Sequence, residues 1–241
     1  MKSVSPKSRL TFRHRSTLNP QPSTIPPMLY RRYGKRCLDL MIALPLAVLL
    51  APIMGGLALL IRWKLGSPVL FSQIRPGLNG CPFRMVKFRS MTDACDAQGE
   101  LLPDERRLTL LGQFLRASSV DELPELWNVI RGEMSLVGPR PLLTRYLGLY
   151  TPEQMRRHDL LPGVTGWAQV NGRNTISWEQ KFAFDVEYVE QVSLLLDLRI
   201  LMMTATKVLR RDDVSAAGHA TMPEFRGTIS SLSADISREA A

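Results

Sequence analysis

The sequence predicts an α+β protein that is mainly helical, with a re-entrant membrane helix attached to a single cytoplasmic domain. Three observations lead to this fold class. Residues 38–61 are almost entirely apolar, apolar residues recur at helical spacing beyond residue 104, and a Pro-Gly and an Asn-Gly pair separate two strand-like segments. We therefore expect an anchor, a small β-hairpin and several helices, some of which lie at the membrane interface.

The first segment, residues 1–29, is rich in Ser, Pro and basic residues and has few large apolar residues. Such a composition cannot bury a core, so the segment is predicted to be disordered. Its positive charge would favour contact with acidic lipid headgroups.

Residues 30–64 are predicted to form the anchor, because about 20 apolar residues suffice to cross a bilayer. Basic residues flank the apolar stretch on both sides, and basic flanks prefer the cytoplasmic side. A straight crossing would therefore place one basic flank on the wrong side. Pro52 lies mid-stretch and disturbs helical hydrogen bonding, which favours a helix that bends and returns. The basic flanking residues are Arg31, Arg32, Lys35, Arg36, Arg62 and Lys64.

Two other structures for this stretch stay open at the sequence level. A spanning helix tolerates proline, and a buried helix of a soluble core has a similar composition. A signal peptide is disfavoured, because the stretch is too long, starts too late and lacks a small-x-small cleavage site.

Residues 65–211 are predicted to form one domain, followed by a polar tail, residues 212–241. Strands are expected at 69–71 and 83–88, around a turn at 75–80. Helices are expected at 108–115, 123–130, 152–158 and 178–209, the last with a possible break near Ser193. The apolar segments 142–149 and 198–203 are candidates for interfacial helices, although ordinary core packing is the favoured explanation for most of their positions.

Composition narrows the partners. The formal net charge is +9, which fits an anionic partner such as acidic lipid, a phosphorylated small molecule or nucleic acid. The apolar anchor favours the first two, and there is no basic stripe interleaved with aromatics that would bind single strands. Three cysteines without CxxC spacing predict neither a disulfide framework nor a zinc site.

The most informative polar cluster is at Asp121 and Glu122, just before an apolar helical segment. Asp121 fits a helix N-cap with Pro124 in the first turn, and a capping box from Ser119 to Glu122 is the competing register. Either arrangement places two carboxylates at a helix start, where phosphate also binds. Without further context, a capping Asp beside an exposed Glu is the favoured explanation of this pattern.

Four cations could form an anion-binding pocket beside these carboxylates: Lys87, Arg89, Arg116 and Arg140. Arg140 lies in a Gly-Pro-Arg-Pro turn, and an arginine on a rigid loop suits phosphate binding. A carboxylate can attack phosphorus and form an acyl phosphate. Mg²⁺ often uses one or two carboxylates together with phosphate, so Asp121 and Glu122 are also candidate metal ligands.

Motifs spread over residues 31–226 carry a resemblance to a known family. The chain resembles the bacterial sugar transferases that are small monotopic polyprenyl-phosphate phosphoglycosyl transferases. The matching segments are Lys35–Asp39, Gly66–Pro68, Phe71–Arg75, Lys87–Met91, Leu115–Arg116, Asp121–Asn128, Gly132–Pro141, Pro162–Arg173 and Asp185–Val189.

The resemblance implies transfer of a sugar 1-phosphate from a UDP-sugar to undecaprenyl phosphate, with release of UMP and a requirement for Mg²⁺. It implies Asp121 as nucleophile, Glu122 as its partner, and a membrane helix broken at Pro52. It also implies a location at the cytoplasmic face of the bacterial inner membrane. Residues that the resemblance assigns to phosphate binding or another function are Lys87, Arg116, Arg140 and Asp185.

Asp185 has a simpler explanation as a surface carboxylate paired with Lys181 one helical turn away. The tail around residues 214–225 is similar to the subgroup that uses UDP-N,N'-diacetylbacillosamine, which predicts that donor or a related N-acetylated sugar. Three competing functions remain at this level: a silent membrane scaffold that binds polyprenyl phosphate or acidic lipid, a basic nucleic-acid binder, and an ordinary glycosyl transferase that releases UDP. The oligomeric state is not predicted.

Overall fold

A computed structural model describes residues 29–172, 176–210 and 224–228. The disorder predicted for residues 1–28 and most of the predicted tail lie outside these ranges. The α-helices are α1 Lys35–Lys64, α2 Asp104–Arg107, α3 Leu110–Ala117, α4 Glu125–Arg131, α5 Pro152–Met155, α6 Trp167–Asn171, α7 Trp178–Gln191 and α8 Leu194–Arg210. The strands are β1 Leu70–Pro76, β2 Pro82–Phe88, β3 Ser135–Val137 and β4 Gly163–Thr165.

Helix α1 contains the predicted anchor and continues without interruption past Pro45 and Pro52. In the described part of the chain, the Tyr30–Lys64 segment alone is long and apolar enough to cross a membrane. The middle of α1 exposes large apolar side chains, which is unusual for a helix in water: Val48 is 75% exposed and Leu49 is 71% exposed. Such a surface is suited to lipid. The break predicted at Pro52 is absent, because α1 continues through that residue.

The first turns of α1 are fixed to the domain by buried polar contacts. Lys35 Nζ lies 2.8 Å from Asp197 Oδ2 and donates to the Tyr188 hydroxyl. Asp39 Oδ1 accepts from the backbone N–H of Leu136 at 2.9 Å. Because a buried charge is tolerated only with partners, these contacts fix the direction in which α1 leaves the domain.

The far end of α1 is also packed on the domain. Ile61 is fully buried and forms an apolar cluster with Phe88 of β2 and Leu115 of α3. The two ends of one long helix therefore contact the same globular body. Other residues of α1 that pack against this apolar cluster are Met54, Leu57 and Ala58.

The predicted hairpin is confirmed. Strand β1 pairs antiparallel with β2 in a continuous register from Leu70 opposite Phe88 to Pro76 opposite Pro82. The first strand is longer than predicted, because pairing continues to Pro76 and the turn is reduced to a short 3₁₀ helix. Asn79, at φ 53°, takes the left-handed conformation that asparagine tolerates better than most residues.

A second, parallel pair of three-residue strands was not predicted. Strand β3 pairs with β4 in the register Ser135 opposite Gly163. Glycine is required at position 163, since a Cβ there would lie 2.1 Å from the backbone nitrogen of Gly138. This close approach leads directly into the Gly-Pro-Arg-Pro turn and so positions Arg140.

The helices of the second half largely follow prediction. The break near Ser193 is confirmed, because α7 ends at Gln191 and α8 begins at Leu194. The predicted helix 152–158 is split into α5 and a 3₁₀ helix, Arg156–Asp159. The segment 142–149 is likewise a 3₁₀ helix from Thr144.

Candidate active site

Asp121 and Glu122 lie in a 3₁₀ turn, Val120–Glu122, between α3 and α4. Both predicted cap registers are wrong. Helix α4 begins at Glu125, after Pro124, and Ser119 makes no side-chain cap. The reason is local backbone geometry, because Ser119 adopts a left-handed φ of 55° and the chain makes an extra turn before α4.

Glu122 is held by two cations. Lys87 Nζ lies 2.7 Å from Glu122 Oε1, and Arg140 Nη2 donates to the same oxygen at 2.5 Å. Burial alone would raise the pKa of the Glu122 carboxyl, but Arg140 and Lys87 outweigh burial and lower this pKa to about 2. With this lowered pKa, Glu122 is ionised at neutral pH and pairs with both cations.

Asp121 differs from its neighbour although both are acidic. Its side chain is 8% exposed and accepts no hydrogen bond from the residues that the structure describes. Burial and the negative charge of Glu122 raise the pKa of Asp121 to about 6, against the opposing effect of Lys87, Arg140 and Arg116. The two carboxylates thus have pKa values pushed apart, a pattern typical of functional sites.

Glu125, which the sequence reasoning missed, completes a trio of carboxylates. It is 2% exposed, and its Oε1 lies 3.0 Å from Lys87 Nζ, an ion-pair contact without hydrogen-bond alignment. Burial and the charge of Glu122 raise the pKa of Glu125 to about 7. The available signal was its position three residues after Glu122, which places both acids near the start of the same helical segment.

Three of the four predicted cations converge on these carboxylates. Arg116 donates from Nε to the Ser90 hydroxyl at 3.0 Å and is close enough to Asp121 to lower its pKa. Arg89 is the exception and was wrongly grouped with them. Strand β2 ends at Phe88, so the alternation that would have aligned Arg89 with Lys87 ends there, and Arg89 binds the carbonyl oxygens of Ser67 and Met91.

Asp185 is buried, not exposed, and the pairing with Lys181 that sequence spacing suggested is not its principal contact. Arg157 donates to Asp185 Oδ2 from Nε at 3.0 Å and from Nη2 at 2.7 Å. The same Nη2 donates to the carbonyl oxygen of Arg140 at 2.7 Å. Asp185 therefore supports the Arg140 turn through Arg157.

Pro52 lies apart from this cluster, exposed in the middle of α1. Its predicted importance therefore concerns the anchor and not the chemistry of the carboxylates.

The donor set is compatible with Mg²⁺. No group of three or more His, Cys, Asp or Glu side chains suited to a metal occurs in the described part of the chain. Mg²⁺, however, needs only one or two carboxylates when phosphate and water supply its other ligands. Asp121 and the second oxygen of Glu122 have no hydrogen bond from the described residues and fit that role.

Comparisons with known proteins identify the family. The bacterial sugar transferase family matches residues 30–211. The chain is 53% identical to an uncharacterized sugar transferase of Bacillus subtilis over 80% of this chain and 96% of the relative.

Two further relatives carry names that specify a sugar. A UDP-glucose:undecaprenyl-phosphate glucose-1-phosphate transferase of Caulobacter vibrioides is 41% identical over 74% of this chain and 71% of its own length. A UDP-galactose-lipid carrier transferase of Erwinia amylovora is 40% identical over 75% of this chain and 41% of its own length.

Proposed function

Because the chain belongs to the bacterial sugar transferase family, we propose that it transfers a sugar 1-phosphate from a UDP-sugar to undecaprenyl phosphate and releases UMP. The same reaction class is named in the relatives from Caulobacter and Escherichia coli. The protein is thus an enzyme of the polyprenyl-phosphate phosphoglycosyl transferase type.

The observation that carries this proposal is the contrast between Asp121 and Glu122. Glu122 is neutralised by Lys87 and Arg140, whereas Asp121 accepts no hydrogen bond from the described residues. An unpaired carboxylate beside clustered cations is suited to attack on a phosphate group, because the cations reduce the repulsion between two anions. Neither a lipid-binding scaffold nor a nucleic-acid binder needs this asymmetry.

In the first half-reaction, a carboxylate oxygen of Asp121 attacks the phosphorus atom that bears the sugar. The bond from that phosphorus to the bridging oxygen breaks, UMP leaves with the electron pair, and an acyl phosphate on Asp121 forms. Arg140 and Lys87 stabilise the negative charge that develops on the transferred phosphoryl oxygens. Arg116 is close enough to Asp121 to hold a second phosphate of the donor.

In the second half-reaction, a phosphate oxygen of undecaprenyl phosphate attacks the same phosphorus. The bond to Asp121 breaks, the carboxylate is regenerated, and the product is the lipid diphosphate-linked sugar. Asp121 and Glu122 would hold Mg²⁺, which would shield the donor diphosphate. The kinetics expected of such a covalent route are ping-pong.

We place the enzyme at the cytoplasmic face of the inner membrane, with α1 entering the bilayer and returning. The packing supports this placement, since Asp39 near one end of α1 and Ile61 near the other both contact the same domain. A helix upright across the bilayer would carry Asp39 and Ile61 to opposite surfaces, at about 1.5 Å per residue. Because α1 is continuous past Pro52, its return to the same side requires a bend within the helix and not a break. The basic residues beyond both ends would then lie on one side, as their preference requires.

The identity of the donor sugar is the most specific part of the proposal. The resemblance of the tail around residues 214–225, which lies mostly outside the described residues, predicts UDP-N,N'-diacetylbacillosamine or another N-acetylated sugar. The names of relatives instead specify glucose or galactose. These donors form the panel for the test.

The test is nucleotide release by the full chain in lipid nanodiscs with Mg²⁺ and undecaprenyl phosphate. UMP from one donor supports the reaction and identifies the sugar, while UDP would indicate an ordinary glycosyl transferase. No nucleotide from any donor, with folded protein, would favour the silent scaffold. Asp121→Asn should abolish UMP release, at least about a thousandfold, whereas Asp104→Asn, at an exposed carboxylate, should leave it unchanged.

A further inference from the structure

An apolar cleft of about 540 Å³ lies between α1 and the hairpin. Its volume is in the range of small-molecule pockets, about 300–1,000 Å³. Its walls are almost entirely apolar, and the mechanism above assigns it no role. Lining residues include Met54, Gly55 and Ala58 of α1, Val86 and Phe88 of β2, and Trp127 of α4.

The cleft adjoins the catalytic site through the backbone of two elements. Val86 and Phe88 flank Lys87 on β2, so their side chains line the cleft from one face of the strand while Lys87 contacts Glu122 from the other. Pro124, which also lines the cleft, follows the catalytic turn by two residues. A chain seated in the cleft would contact Pro124, two residues from Glu122.

The cleft also adjoins the surface that is suited to lipid. Its α1 wall lies in the second half of the anchor, where Leu59 is 74% exposed and Ile53 is 54% exposed. Trp127, on the opposite wall, is 59% exposed, and tryptophan favours the membrane interface. The cleft therefore adjoins the lipid-suited surface of α1 on one side, and on the other side its walls at β2 and Pro124 separate it from the cations of the site.

We propose that this cleft binds the first isoprene units of the polyprenyl phosphate acceptor. The inference rests on the proposed function and adds a chain-binding subsite to it. A single branched hydrocarbon chain fits an apolar cleft of this volume whose wall at Pro124 adjoins the proposed phosphate-binding site. An ordinary phospholipid has two acyl chains and an esterified phosphate, so it fits this arrangement poorly.

Two neighbouring glycines of α1 provide a matched test. A Cβ at Gly55 or at Gly56 would meet no atom within 4 Å, so both positions have the same open space next to the backbone. Gly55 lines the cleft, whereas Gly56 is not among its lining residues. Gly55→Leu should fill the cleft, and Gly56→Leu is the control with the same added residue in the same helix.

The first readout does not depend on activity. A polyprenyl phosphate with a diazirine on its first isoprene units is crosslinked to the full chain in nanodiscs, and the labelled peptides are identified by mass spectrometry. We expect labels on peptides that contain residues 54–58, 86–88 or 124–127. Labelling should fall about tenfold in Gly55→Leu and stay unchanged in Gly56→Leu.

Labels located elsewhere, equal labelling of both variants, or equal competition by phosphatidylglycerol would overturn the cleft assignment. The second readout is the KM for undecaprenyl phosphate, which should rise about tenfold in Gly55→Leu alone, with the KM for the UDP-sugar unchanged. Cleft labelling in a wild-type protein that releases no UMP would refute the proposed function and leave the cleft assignment standing.

Discussion

Arg157 connects Asp185 to Arg140, since its Nη2 lies 2.7 Å from the Asp185 carboxylate and 2.7 Å from the Arg140 carbonyl oxygen. Arg157 is 2% exposed and Asp185 is 2% exposed. Such a pair is stable only while both charges remain. Its position behind the Gly-Pro-Arg-Pro turn makes the turn dependent on a residue of a different helix.

Removal of the Asp185 charge should therefore affect stability first and catalysis through Arg140. Asp185→Asn leaves the Arg157 guanidinium buried without its counter-ion, at a cost of about 3–5 kcal/mol in unfolding free energy. Thermal unfolding in nanodiscs measures the loss, and Glu190→Gln, at an exposed carboxylate of the same helix, is the control. An Asp185→Asn protein as stable as the control would contradict the buried-pair account.

Arg140 itself should matter for rate more than for folding. Arg140→Gln removes one of the two cations on Glu122 and a donor to the transferred phosphoryl group, so kcat should fall about 100-fold. Arg145→Gln is the control, because Arg145 lies in the next turn of chain and is 64% exposed in an ion pair with Glu224. Steady-state UMP release gives both values, and similar rates for the two variants would exclude Arg140 from the chemistry.

The pH dependence of the rate should report Asp121. In the proposed mechanism only the ionised carboxylate of Asp121 attacks phosphorus, and the pKa of this carboxyl is raised to about 6. The rate should therefore rise with pH and level off above that value, with about a tenfold deficit at pH 5. Because Arg116 lowers the pKa of Asp121, Arg116→Gln should move the acid limb to higher pH. A limb that stays in place would show that another group controls it.

Glu125 should make stability depend on pH. Its pKa is raised from 4.5 to about 7 in the folded protein, so the folded state holds this proton more tightly than the unfolded state. Wild type then loses stability as pH rises from 4.5 to 7, by on the order of 2–3 kcal/mol. Glu125→Gln lacks this titration, and its Tm advantage over wild type should grow across the interval. Glu153→Gln, at an exposed carboxylate, should show a constant difference.

The direction of the anchor can be read by cysteine labelling. Cys37, exposed near the start of α1, is kept in a Cys81→Ser/Cys95→Ser background, and a second protein carries Trp63→Cys, at an exposed residue near the end of the helix, as its sole cysteine. A re-entrant helix places both thiols on the cytoplasmic side. An impermeant maleimide would then label them only after the cells are lysed. Labelling of one thiol from the periplasm of intact cells would demonstrate a spanning helix.

Local patterns in the sequence were sufficient for the elements that form locally. The hairpin follows from its turn residues, and the break between α7 and α8 follows from the polar interruption near Ser193. The pair of β3 and β4 could not be predicted, because three-residue strands carry no periodicity and their pairing depends on the contact of Gly138 with Gly163.

The site divides in the same way. Residue type and motif singled out Asp121, Glu122, Lys87 and Arg140, which the structure brings together. The partner of Asp185 comes from a distant segment and leaves no pattern at helical spacing. Glu125 was overlooked because an acid in the first turn of a helix has an ordinary structural explanation. Its burial against Lys87 depends on how the hairpin packs on α4.

The two-ended attachment of α1 has a consequence for how the enzyme meets its lipid. A domain on a flexible tether can adjust its distance from the bilayer, but a domain fixed to both ends of its own anchor cannot. The depth of Asp121 relative to the hydrocarbon is then set by the protein. We expect bilayer thickness, which changes the depth of the acceptor phosphate, to alter turnover even when the amount of acceptor is constant.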